Sequence, residues 1–142
     1  MMTNLERLEE LTATLVEKEE VLNAFFEQSP VGLIVADEDL NILSCNPAVL
    51  ELIRCREKEL VGSNVLMLIP ERYRARHLAA VRNPPAISKV LNKTNHLHIV
   101  RCDGGEVEVI IWLGDFKING SRRYIASVRL PGSISEELFL PR

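Results

Sequence analysis

Histidine and cysteine offer this chain its widest chemistry, and it has only three of each. His77 ends the run RARH within IPERYRARHLAAV (69–81), where Pro70 opens a helix and Arg72, Arg74 and Arg76 precede the imidazole. A neutral imidazole on a rigid helix can ligate an iron cofactor; the simpler reading is a solvated or capping side chain among arginines. His96, His98 and Cys102 fall on one side of a strand by period two and could hold a soft metal such as zinc. They lack a second ligand pair, so polar residues on an outer sheet face are the competing reading. Cys45, Cys55 and Cys102 form no CxxC pair and are odd in number, which argues against a disulfide framework and for a reducing, cytoplasmic compartment. Cys45 at a strand end and Cys55 at a helix end read as small buried residues. Ser29, Ser44 and Ser63 have neither a local histidine nor a Gly-rich elbow, so nothing asks for an enzyme. The arginine run stands in a chain of net charge −3 without interleaved aromatics, which predicts a solvated helix face and no nucleic-acid partner.

The elements that must position these residues follow from spacing. Residues 4–27 contain no Gly or Pro and are rich in helix formers. With Leu5 at heptad position a, the seam runs Leu5, Leu8, Thr12, Leu15, Glu19, Leu22, Phe26, widened by Leu11 and Val16. Such an amphipathic stripe needs a partner, either its own domain or the same helix of a second chain. Gln28-Ser29-Pro30 ends the helix. The apolar run 31–36, the Asp37-Glu38-Asp39 turn and the run from Ile42 to Ser44 predict a hairpin. Asn46 before Pro47 predicts a helix N-cap with proline at the first helical position. Residues 56–83 read as short helices, interrupted at Gly62, restarted at Pro70 and ended by Asn83-Pro84-Pro85; 86–95 read as a polar connection. Strands follow from His96 to Cys102, over 106–116 and over 122–130, joined at Asp103-Gly104-Gly105 and Asn119-Gly120, both strong hairpin signals. The order predicts an α+β fold, an antiparallel sheet with helices on one face. Hydrophobic content of 46% and charged content of 26% suit a globular domain, no stretch has the roughly 18 apolar residues of a membrane span, and the acidic N-terminus is unlike a signal peptide.

Three stretches together resemble a PAS domain over about residues 24–130. FFEQSPVGLIVADEDLNILSCNPAVLELI resembles the opening hairpin and Asn-Pro-Ala helix start of that family. REKELVGSNVLMLIPERYRARH resembles its short central helices, and HIVRCDGGEVEVIIWLGDF its hairpin with an Asp-Gly turn. The resemblance implies a five-stranded antiparallel sheet cupped around a small cavity, and a role in sensing or dimerisation without turnover. It divides the chain into an N-terminal amphipathic helix (1–27), a PAS domain (28–130) and a C-terminal tail (131–142). Heme-binding PAS domains ligate iron through a histidine on the helix below the cavity, and His77 stands at the position resembling that residue. A similar Pro-Glu-Arg-Tyr-Arg-x-x-His run also occurs in PAS domains without heme, so heme, another small molecule and an empty core remain open. Photosensing LOV-type members need a cysteine after Gly-x-Asn; Gly62-Ser63-Asn64 is followed here by Val65, which has no thiol for a covalent flavin adduct.

Alternation assigns Val107, Val109, Ile111 and Leu113 to the core face, and Glu106, Glu108, Ile110, Trp112 and Gly114 to the opposite one. Tyr124, Ala126 and Val128 likewise leave Ile125 outside. An apolar patch on the outer sheet face needs a cover, which the N-terminal helix of this chain or of a second copy would supply. The expected dimer interface is therefore Leu5, Leu8, Leu15, Leu22, Phe26, Ile110, Trp112 and Ile125. After the last strand, LPGSISEELFLPR is interrupted at Pro131-Gly132 and offers only a capping box at Ser133 and Glu136, so signal output by a C-terminal helix is not expected. The sequence thus predicts a cytoplasmic, non-catalytic, homodimeric module that senses a small ligand or contacts a signalling partner, for example in regulating transcription.

Overall fold

The computed structural model describes residues 1–75 and 97–132. Helix α1 (Asn4–Gln28) begins where the Thr3 hydroxyl accepts the Glu6 amide and ends at Ser29, before Pro30. Strands β1 (Gly32–Ala36) and β2 (Ile42–Cys45) form the first hairpin. Helices α2 (Pro47–Ile53) and α3 (Glu57–Leu60) and a 3₁₀ turn (Val65–Leu68) follow, with further helical residues at 71–75. Strands β3 (Leu97–Val100), β4 (Glu106–Ile118) and β5 (Ser121–Arg129) complete a five-stranded sheet ordered β2-β1-β5-β4-β3, antiparallel at every junction. The β4–β5 turn is tight because Asn119 (φ 50°) and Gly120 (φ 80°) both adopt the left-handed conformation that suits a two-residue hairpin loop.

One face of this sheet carries the core. Ile34, Ile99, Val109 and Val128 point from the strands into α2, α3 and the 3₁₀ turn, where Val49, Ile53, Leu60 and Leu68 meet them. A register shift in β2 lets Ile42 and Cys45 both face inward while Leu43 is exposed. Gly32 sets the spacing of these layers. A Cβ there would stand 2.9 Å from both the Val128 carbonyl oxygen and the Val49 Cβ, so α2 reaches the sheet only over a glycine.

The outer edge of β2 is occupied by the segment that follows α3. The Ile42 amide donates to the Ser63 carbonyl, the Gly62 amide to the Ile42 carbonyl and the Val65 amide to the Leu40 carbonyl, each at 2.8 Å. The Asp37 carboxylate accepts the Asp39 and Asn41 amides at 2.9 Å, which shapes the β1–β2 turn. Asn64 donates from Nδ2 to the Asp39 carbonyl at 2.9 Å and fastens that turn to the 3₁₀ start.

Asn46 joins three elements. Fully buried, it caps α2 by accepting the Val49 amide on Oδ1 at 3.2 Å, as its place before Pro47 predicts. The same oxygen accepts the Leu33 amide of β1 at 2.8 Å. Its Nδ2 donates to the Phe26 carbonyl of α1 at 3.0 Å and to the Val31 carbonyl at 2.9 Å. The side-chain amide therefore satisfies both donors and both acceptor directions, spanning helix, strand and cap.

Two substitutions test this packing. Asn46→Ala strands buried backbone groups and removes a cap, so urea denaturation should show a loss of about 2–4 kcal/mol. Gly32→Ala forces Val49 and the β5 backbone apart and should cost about 1–3 kcal/mol in the same measurement.

Candidate functional site

The outer face of the sheet is the most unusual surface of the described residues. Pairing places Leu33 opposite Ser127 and Ser127 opposite Trp112, and Val35 opposite Ile125 and Ile125 opposite Gly114. Ile110 and Phe116 extend the same face of β4, opposite Arg129 and Arg123. Trp112 points outward and is 55% exposed, while Val107, Ile111 and Leu113 pack toward the core side, as alternation predicts. Its indole lies over Gly114, whose missing Cβ would stand 2.6 Å from ring atom Cη2. Ile110 and Ile125 are half-buried; Phe116 and Ile118 add exposed apolar area.

Helix α1 has no buried residue, and Leu5, Leu8, Leu11, Leu15, Val16 and Leu22 are all exposed. Within one chain the helix therefore does not pack along its own domain, and it leaves Trp112 uncovered; of the two covers considered from the sequence, the same-chain one is not realised. The reason lies at the α1–β1 junction, where Ser29-Pro30 breaks the helix and Asn46 holds Phe26 at the domain's end. An open apolar groove of about 720 Å³ forms at this junction, lined by Val21, Leu22, Phe25, Phe26, Pro30 and Leu33 among others. Leu33, which lines the groove, is separated from Trp112 across the sheet by Ser127 of β5. Sequence reasoning missed Phe25, Phe116 and Ile118, although Phe116 and Ile118 continue the period-two pattern of β4.

A second cluster surrounds the β3–β4 turn. The Cys102 amide donates to the Ile53 carbonyl and Arg101 Nε to the Leu52 carbonyl, both at 3.1 Å, and Arg54 pairs with Asp103 at 3.1 Å. The Gly105 amide, followed by Arg54, holds the Asp103 carboxyl below its ordinary value. Cys55 and Cys102 form a disulfide across this joint, with Cα atoms 5.3 Å apart. This corrects one expectation. An odd cysteine count and the lack of CxxC say nothing about residues 47 apart in sequence that tertiary contacts bring together. Of the His96, His98 and Cys102 alignment weighed above, Cys102 lies beyond the end of β3 at Val100 with its sulfur bonded to Cys55, and His96 lies outside the described residues. No group of three or more His, Cys, Asp or Glu suited to a metal occurs among the described residues. Cys45 is the buried free cysteine, and burial, then Glu57 and Glu27, push its thiol up.

Arg72 and Arg74 of the arginine run are exposed, and each has a partner. Arg72 grips Glu106 at the start of β4 through two bonds, at 2.7 and 3.0 Å, and stacks on Tyr73 at 4.7 Å. Arg74 Nε donates to the Ile69 carbonyl, and Arg76, His77 and the rest of the predicted helix beyond residue 75 lie outside the described residues. Val65, after Gly62-Ser63-Asn64, packs against both buried clusters. No helix among the described residues is long and apolar enough to cross a membrane.

Comparison with known proteins agrees with this architecture. The chain is 27% identical over 105 residues to the oxygen sensor protein DosP of Escherichia coli (strain K12), a match covering 72% of this chain and only 13% of that protein. The PAS domain of an HTR-like protein from Haloarcula marismortui superposes with a TM-score of 0.67 at 21% identity, covering 85% of this chain and 98% of that one. A PAS domain from a two-component sensor histidine kinase gives 0.62 at 13% identity, with 79% and 95% covered. The model of the PAS fold matches residues 20–116, which takes in the end of α1, strands β1 to β3, the described helices of the inner face and most of β4. The chain therefore belongs to the PAS fold family, a sensory domain of signalling proteins.

Proposed function

We propose that this chain is a non-catalytic, homodimeric regulatory module of the cytoplasm, in which two copies bury the outer sheet face and α1 against one another. The observation that carries this reading is three apolar surfaces left uncovered within one chain: the α1 seam, the groove at Leu33 and the outer sheet face at Trp112. A surface of that extent favours burial, and a long helix without tertiary packing is marginal alone. Leu5, Leu8, Leu15, Leu22 and Phe26 would pair with a second copy, alongside Ile110, Trp112 and Ile125. A ligand or partner that shifts the sheet would reach α1 through Asn46, because that side chain bonds β1, α2 and α1 together. A small-molecule ligand and a signalling partner both suit such a module, and a ligand-free interaction domain is the variant in which the core alone supports pairing. Native mass spectrometry that finds a small molecule bound would count against that variant.

A second reading, favoured by the match to a protein named as an oxygen sensor, is a heme-based gas sensor with His77 as proximal ligand. Reconstitution with heme should then give a Soret band that His77→Ala abolishes; no band after reconstitution eliminates this reading.

Dimerisation is tested by light scattering on the full chain. The wild type should have twice the monomer mass, and Leu8→Glu/Leu15→Glu should be monomeric with an unchanged fold by circular dichroism. A monomeric wild type at high concentration would overturn the assignment.

A further inference from the structure

The Cys55–Cys102 pair sits where a covalent bond is not needed to bring its two ends together. Cys55 follows α2 and is only 8% exposed, whereas Cys102 follows β3 and is half-buried at the sheet's edge. The Cys102–Ile53, Arg101–Leu52 and Arg54–Asp103 contacts already fasten the end of α2 to the β3–β4 turn. The buried core beneath is built from aliphatic side chains on strands and helices alike, in contrast to small scaffolds that depend on disulfides to fold. With the bond open, the same contacts would keep the two thiols adjacent.

We infer that Cys55 and Cys102 form a reversible dithiol–disulfide site, so that this domain carries a thiol-redox input. The chemistry needs only a low-molecular-weight disulfide such as oxidised glutathione. The Cys102 thiolate, the more accessible of the two, attacks one sulfur of that disulfide. Its S–S bond breaks, and one small thiolate leaves and takes up a proton. The Cys55 thiolate then attacks the Cys102 sulfur of the mixed disulfide and expels the second small thiolate, which is protonated in turn. Two protein thiols lose two electrons and two protons, and the reagent gains both. Excess small thiol runs the steps in reverse. Cys45 takes no part, because it is buried in the core at the end of β2 and its thiol is pushed up by that burial. Oxidation adds a covalent tie between the helical layer and the far edge of the sheet, closing a loop that contains α3, the 3₁₀ turn and β3. A tie across so long a loop restricts the unfolded chain and stiffens that end of the domain.

The test equilibrates the full chain with graded ratios of reduced to oxidised glutathione, quenches with acid, alkylates under denaturing conditions and measures intact mass. The expected result is one transition within the graded range, in which two alkylation sites are lost together while Cys45 stays alkylated. Cys55→Ser should trap a glutathione adduct on Cys102, Cys102→Ser should show no transition, and Cys45→Ser should leave it unchanged. Should Cys55→Ser fail to fold, Cys102→Ser and Cys45→Ser still decide the assignment. Thiols that remain free at the most oxidising ratio would overturn the inference. So would a bond that persists at the most reducing ratio, which would make it a fixed structural link. Because the readout is mass, it does not depend on the oligomeric state.

Discussion

A single buried amide holds the architecture together. Asn46 sits at the point where α1 ends, β1 begins and α2 starts, and each of its polar atoms bonds to a different part of that junction. A buried amide left unpaired is costly, so these elements cannot separate without exposing it to that penalty. Gly32, one residue before Leu33 on β1, lets α2 close on the sheet at the same place. The junction fixes where the flanking helix leaves the domain, and hence which face of the sheet stays bare.

From that geometry follows a division of the sheet into two working sides. The inner side is filled by aliphatic residues from strands and short helices. The outer side presents Trp112, Phe116 and Ile118 to solvent within one chain, next to a helix whose apolar stripe is also unpaired. Two unsatisfied apolar surfaces linked by one hydrogen-bonded joint are well suited to a module in which association and internal change influence each other. The Cys55–Cys102 joint lies at the opposite end of α2 from Asn46, so the same helix is anchored at one end by an amide and at the other by sulfur.

Much of this was legible in local chemistry. Alternation along 106–116 placed Trp112 outward and Val109 inward, and Asn119-Gly120 announced a turn whose backbone demands left-handed residues. Asn46 before Pro47 announced a cap. What local patterns could not show was contact across sequence distance. The bond from Asn46 to Phe26 crosses 20 residues, and the Cys55–Cys102 pairing crosses 47; neither has a periodic or compositional signature. The pairing of Arg72 with Glu106 is of the same kind: a charge that reads as solvated in its own helix finds a partner only once β4 is laid beside it. The period-two alignment of His96, His98 and Cys102 likewise could not show that β3 ends at Val100 and that the Cys102 sulfur meets Cys55.

The sheet's bare side carries the chain's sole tryptophan, which makes its environment directly observable. Steady-state emission of Trp112, followed as the protein is diluted through its association range, tests the central claim most directly. Burial of the indole between two copies predicts a blue-shifted band at high concentration that moves to the red on dilution. An emission maximum that stays at its solvent-exposed position throughout would contradict the account.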